Sequence, residues 1–184
     1  MVLYLQVYFH GGVNFQFDYF FYERIRGMDK KTIAIGNDHT AVEFKKTILE
    51  YLRGRGYDVT DFGTDESGRA EYPLYAERVA VKVAEGAFDL GVLLCGTGVG
   101  MCLSANKVNG IRAVVCSEPY SARLSRQHNN ANILCLGARV VGAELAKDIC
   151  AAWLGACFEG GRHQERVNMI MDIERRNRHT AEPL

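Results

Sequence analysis

From Lys30 onward the chain alternates short aliphatic, β-branched runs with amphipathic stretches, and it does so five times. Residues 32–36 (TIAIG) read as a buried strand; residues 41–55 then carry Val42, Phe44, Ile48, Leu49 and Leu52 at helical spacing, closed by Gly54 and Gly56. Residues 58–62 form the second predicted strand, and Pro73, a residue favoured in a first helical turn, opens a helix to residue 85. Residues 90–95 (LGVLLC) are apolar enough for a strand buried on both faces. Residues 112–116 and 133–136 supply the fourth and fifth strands, with helices predicted over 101–107, 119–128, 142–154 and 164–178. A strand followed by a helix, repeated, demands right-handed crossovers and a parallel sheet covered on both faces. The expectation is an α/β fold, a Rossmann-like three-layer sandwich with a five-stranded parallel sheet, whose ligands bind at the carboxyl ends of the strands.

A length of 184 residues suits one domain with a core that needs no staples. Basic and acidic residues balance at 22 each, so no net field attracts a phosphate backbone or an anionic membrane, and neither nucleic acid nor membrane is an expected partner. A few well-placed arginines can still bind a small phosphate. The six cysteines (Cys95, Cys102, Cys116, Cys135, Cys150, Cys157) form no C-x-x-C pair and no zinc-finger spacing with histidine, so no metal site is expected. Outside the glycine-rich loop they read as buried free thiols of a reducing cytoplasm.

Of the 19 aromatic residues, nine precede Met28. Polar residues from Gln6 to Asp18 interrupt any apolar core of a signal peptide, and the first basic residue is Arg24. Alternation over Asn14, Phe15, Gln16, Phe17 and Asp18 suits a strand, yet it precedes a self-sufficient domain pattern. Residues 1–27 therefore read as an aromatic-rich extension and residues 28–184 as a single domain starting functionally at Met28; an aromatic docking strand is the alternative.

Chemistry concentrates where the strands end. Three glycines lie in Cys95-Gly96-Thr97-Gly98-Val99-Gly100, between a buried strand and a helix, where backbone N–H groups converge readily on an anion. Met101 stands where a dinucleotide fingerprint needs glycine, and the Lys-Ser/Thr ending of a P-loop is missing. Cys95 at the lip of this loop sits where a helix N-terminus favours negative charge. Asp38-His39 follows the first strand; alone the pair is a common helix cap, but beside Cys95 it becomes an acid/base candidate. His128 and Asn129 end a predicted helix, where histidine can equally be a dipole-favoured cap. Arg139 ends the fifth strand, and Gly160-Gly161-Arg162-His163-Gln164-Glu165-Arg166 sets two arginines four apart, a pattern that suits phosphate capture better than solvated charge.

Together with Glu71-Tyr72-Pro73, Ala105-Asn106-Lys107, Gly110-Ile111-Arg112-Ala113 and Gly137-Ala138-Arg139, these motifs resemble the ribose-5-phosphate isomerase B family, which includes the galactose-6-phosphate isomerase subunits. The likeness runs in order over residues 30–178 and leaves the leader without a counterpart. It implies an aldose–ketose isomerase that interconverts ribose 5-phosphate and ribulose 5-phosphate in the non-oxidative pentose phosphate pathway, without metal or organic cofactor, as a cytoplasmic homodimer or dimer of dimers. Carried onto this sequence, the likeness makes Cys95 the base that moves a proton between C1 and C2. Some relatives use a glutamate four residues further on; Val99 stands there, which implies the cysteine type. Thr97 would assist proton movement between the oxygens, and the N–H groups of Gly96, Thr97, Gly98, Val99 and Gly100 would hold the enediolate. Asp38 and His128 would open the furanose ring, with His128 and Asn129 donated by the neighbouring subunit. His39, Arg139, Arg162 and Arg166 would bind the phosphate and Tyr72 would line the pocket. A hexose-6-phosphate isomerase and a non-enzymatic sugar-phosphate or nucleotide-binding module are the alternatives.

Overall fold

The computed structural model describes residues 31–177, within a compact unit that begins at Lys31. The leader, its proposed strand and the start at Met28 lie outside the described residues, as does position 178. The elements run β1 (Thr32–Asn37), a 3-10 turn (His39–Ala41), α1 (Val42–Gly54), β2 (Asp58–Asp61), α2 (Tyr72–Ala84), β3 (Leu90–Cys95), α3 (Val99–Ala105), β4 (Ala113–Val115), α4 (Pro119–Asn129), β5 (Ile133–Gly137), α5 (Ala143–Leu154) and α6 (Arg162–Asn177).

All five strands pair in parallel, in the order β2-β1-β3-β5-β4. Burial follows position. Every residue of β3 and β5 is buried, because helices cover both faces of an interior strand, whereas the edge strands β2 and β4 alternate or grade toward solvent. Alternate residues divide between two cores. On one face Ile33, Ile35, Val92, Leu94, Leu134 and Leu136 pack with Ile48 and Leu52 of α1, Ala122 of α4 and Trp153 of α5. On the other, Ala34, Leu93, Cys95, Ile133 and Cys135 pack with Val79 and Ala80 of α2 and Met101 of α3. Each such aliphatic side chain contributes about 1.5–3 kcal/mol by leaving water, and this double burial holds the strand ends in register.

The predicted architecture matches, with shifts at element ends. Strand β4 is shorter than residues 112–116 because the Arg112 N–H donates to Asn132 Oδ1 at 2.8 Å rather than to the ladder. Helix α3 starts at Val99, two residues before the predicted 101, and α1 is preceded by the 3-10 turn. Chain order reverses between β1 and β3: β2 lies to one side and β3, β5 and β4 to the other. A crevice for ligand opens at such a reversal. Asp38 follows β1 there, and Cys95 ends β3.

Candidate active site

Asp38 is held across the reversal by its own backbone, whose N–H donates to Leu94 O at 3.1 Å. Its Oδ1 accepts from Thr40 N–H at 2.9 Å and from Thr40 Oγ1 at 2.6 Å, so the carboxylate caps the 3-10 turn while 5% exposed. Capping and a chemical role are therefore compatible, since these bonds all fall on one oxygen. His39 Nδ1 accepts from Ala70 N–H at 3.2 Å, which places the proton of a neutral ring on Nε2. Asn37, wholly buried, donates to Asp38 O and Thr64 O and accepts from Thr64 N–H, stapling the loop after β2 to the same edge.

The glycine-rich loop presents the thiol. Gly98 adopts φ 79°, a left-handed conformation that glycine takes without strain, and its N–H then donates to Cys95 Sγ at 3.1 Å. The sulfur it meets is 6% exposed. The Val99 N–H donates to Thr97 Oγ1 at 3.3 Å. Two of the loop amides expected to face an anion thus serve Cys95 and Thr97 instead. The loop is tied to β5 through Ala138 N–H on Cys95 O (2.8 Å) and Arg139 N–H on Gly96 O (3.0 Å). Gly137 makes this approach possible: a Cβ there would lie 2.7 Å from the Thr97 carbonyl carbon. Similarly, a Cβ on Gly96 would sit 3.4 Å from Thr40 Oγ1 and 3.7 Å from Arg139 Cδ, and one on Gly100 would meet the Tyr72 ring at 2.8 Å. Asp38, Tyr72, Cys95 to Gly100 and Arg139 are therefore one constellation, with acid, thiol and guanidinium around one loop.

His128, Arg162 and their neighbours form a second group. The His128 ring stacks on His163 with centroids 4.2 Å apart and planes 1° from parallel. Both Nε2 atoms lie 3.8 Å from Glu159 Oε2, and Arg162 Nε donates to His163 Nε2 at 3.5 Å. Burial, then the neighbouring His128 and the Arg162 guanidinium, hold the His163 imidazole below the ordinary histidine range. The Asn129 carbonyl accepts from Arg112 Nε at 3.1 Å, and Arg166 stands exposed one turn beyond Arg162. Among the described residues no hydrogen bond, ion pair or ring contact joins this group to Asp38, Cys95 or Arg139. Asn37, Thr40, Glu159 and His163 are the neighbours that sequence reasoning missed; Asn37 and His163 stand inside the motifs but carry no chemical signal of their own.

The six cysteines differ sharply. Burial raises the Cys116 thiol to about 11 and the Cys150 thiol to about 12, and pushes Cys135 well above the usual thiol range. Cys102, part-buried, is lowered chiefly by a hydrogen bond from Cys135. Cys157 is exposed, against the expectation of uniform burial, because it follows α5 in the loop leading to Gly160.

Residues 33–170 match the Ribose/Galactose Isomerase family. The chain belongs to this family. It is 59% identical over 146 residues to the ribose-5-phosphate isomerase B of Escherichia coli (strain K12), covering 79% of this chain and 98% of that protein. It is 48% identical over 149 residues to a D-erythrulose-4-phosphate isomerase of Pectobacterium atrosepticum, covering 80% and 98%. Among solved structures, the ribose-5-phosphate isomerase B of Mycoplasma genitalium with bound ribulose-5-phosphate aligns with TM-score 0.76 and 43% identity, over 78% of this chain and 96% of that one. The isomerase fold, with its five-stranded parallel sheet, is thus shared along nearly the whole length of these relatives. No helix among the described residues is long and apolar enough to cross a membrane.

Proposed function

We propose that this isomerase interconverts D-ribose 5-phosphate and D-ribulose 5-phosphate through an enediolate. The observation that carries the reading is Cys95 Sγ beside the Gly98 N–H at the switch point, with Asp38 and Arg139 gathered around that loop from the ends of β1 and β5. Moving a carbonyl along a sugar requires removal of a weakly acidic C–H, and fixed donors at the developing oxyanion are worth about 3–4 kcal/mol each. In this scheme Cys95 as thiolate takes the C2 proton and returns it to C1. Thr97 eases proton exchange between O1 and O2, while the loop amides not engaged by Cys95 and Thr97 hold the enediolate. Asp38 and His128 open the furanose ring. His39, Arg139, Arg162 and Arg166 hold the phosphate, Tyr72 lines the pocket, and binding energy far from the reacting carbons fixes their register.

Among the described residues no hydrogen bond, ion pair or ring contact joins His128 or Asn129 to Cys95, which supports a site completed by the His128 and Asn129 of a second copy in a homodimer, or a dimer of dimers. The enzyme is cytoplasmic and needs only residues 28–184; the family match beginning at residue 33 supports this boundary. A coupled assay with EDTA present, comparing ribose 5-phosphate with D-erythrulose 4-phosphate, allose 6-phosphate and galactose 6-phosphate, tests the substrate. Fastest turnover of ribose 5-phosphate is expected. Preference for another sugar phosphate reassigns the substrate, and no turnover of any would sink the enzyme reading.

A further inference from the structure

His128, Glu159 and His163 come from the end of α4, a loop and the first turn of α6. Gly160 and Gly161, with φ of 65° and 52°, turn the chain so that Glu159 and His163 face each other. The Glu159 N–H donates to Gln127 O at 3.0 Å and pins that turn to α4 beside His128. One ligand atom from each of the three residues lies within 4.8 Å of the others, and both Nε2 atoms are 3.8 Å from Glu159 Oε2. Neighbouring ligand atoms of a tetrahedral zinc ion, with bonds of about 2.0–2.1 Å, stand about 3.4 Å apart.

We propose that His128, Glu159 and His163 form a three-ligand site for a divalent ion of the zinc class, and that the bound ion inhibits isomerisation by taking the Nε2 lone pair of His128. Two imidazoles select zinc, nickel or copper over magnesium and calcium. Three protein ligands with a fourth position for water are an open zinc set. The His163 side chain, 8% exposed, is a fixed anchor; those of His128 and Glu159, 35% and 48% exposed, give the ion a way in. Coordination asks the more exposed His128 ring to tilt out of its stack so that both lone pairs converge. It also displaces the Arg162 Nε contact to His163, which at 3.5 Å is at the limit of a hydrogen bond. The Arg162 and Arg166 cations oppose the ion and the Glu159 carboxylate attracts it, so the set suits reversible binding rather than a permanent structural metal. The inhibitory half rests on the proposed role of His128; binding does not.

The test uses the full chain, stripped with EDTA and desalted. Titration with Co²⁺ reports the ligand set through visible absorption, and isomerisation of ribose 5-phosphate is followed against free Zn²⁺. One four-coordinate Co²⁺ per chain is expected, displaced by Zn²⁺. Inhibition by Zn²⁺ should be reversed by EDTA, absent with Mg²⁺, and weakened at least about tenfold by Glu159→Gln and by His163→Gln, since even supporting residues of a metal site cost that much. Should His163→Gln not fold, Glu159→Gln decides alone. Inhibition unchanged in Glu159→Gln, or a thiolate-to-cobalt charge-transfer band, overturns the site in favour of Cys95 or Cys157. No Co²⁺ binding to an active enzyme overturns it as well, and binding without inhibition overturns the inhibitory half. A chain inactive on every sugar phosphate that still binds Co²⁺ through Glu159 upholds the site and fails the isomerase reading.

Discussion

Asp38, Cys95 and Arg139 stand at or just past the carboxyl ends of β1, β3 and β5, each tied there by a backbone hydrogen bond, whereas His128, Glu159 and His163 stand on a helix terminus, a loop and a helix start. The first group inherits the precision of strands buried on both faces. The second depends on how α4 and α6 dock, and on two left-handed glycines. Proton transfer at carbon, the step proposed for Cys95, tolerates little misplacement of the base. In the proposed mechanism the residue that moves the proton, Cys95, thus stands on the more firmly held of the two scaffolds.

Cys95→Ala should break the comparison hardest. Loss of a general base costs about 10²–10⁴-fold in rate, and at Cys95 it also removes the partner of the Gly98 N–H, so turnover should fall by at least the upper figure. Thermal unfolding should shift little, because removing one sulfur from the core costs about 1 kcal/mol. A variant with more than a tenth of the parental kcat would place the base elsewhere.

His128→Ala should cost less, about 10²-fold, because furanose rings also open without a catalyst. Mixing it with Cys95→Ala under conditions of subunit exchange then tests whether the two groups meet across an interface. Random pairing makes about half the dimers hybrid, each with one intact site and one doubly defective site, so activity should climb toward about a quarter of the parent. Exchange verified by mass without recovery would put both residues in one chain's site.

The same contrast explains what was legible. Asp38, Cys95 and Arg139 could be read directly, because a residue that follows a buried apolar run must emerge at the carboxyl edge of a parallel sheet. The β2-β1-β3-β5-β4 order could not, since crossover lengths permit β4 on either side of β5. Nor could the His128–Glu159–His163 cluster: Glu159 carries no motif, and its approach depends on the Gln127 carbonyl accepting from a loop amide. The loop amides were expected to face an anion as a set, but local bonds to Cys95 Sγ and Thr97 Oγ1 claim two of them.

Gly137→Ala would sharpen the precision argument. The new Cβ would meet the Thr97 backbone at 2.7 Å, so the glycine-rich loop must move away from β5. Overpacking of this kind costs about 1–3 kcal/mol, and a shift of about 1 Å at the reacting groups costs about 10²-fold in kcat. A variant that loses stability yet keeps full kcat would show the loop less rigid than its two ties to β5 imply.

The smallest effect concerns the buried thiols. Cys116 and Cys150 are raised to about 11 and about 12, above their values in an unfolded chain. The folded state therefore keeps protons that the unfolded state releases, so their contribution to stability is intact below the unfolded thiol range near pH 8.5 and is lost as pH rises toward 11 and 12. Denaturant midpoints should fall between pH 9 and 11, and replacing both thiols by alanine should flatten that slope while leaving the rate with ribose 5-phosphate unchanged. Iodoacetamide supplies the kinetic counterpart, since reaction follows thiolate and access. Exposed Cys157 should be labelled without loss of activity, and Cys95 with loss of activity that substrate prevents. Cys116, Cys135 and Cys150 should react only after unfolding. Labelling of Cys150 in the native enzyme at pH 8 would mean that the α5 side of the core opens, and the rigidity assigned to the sheet would then belong to its other face alone.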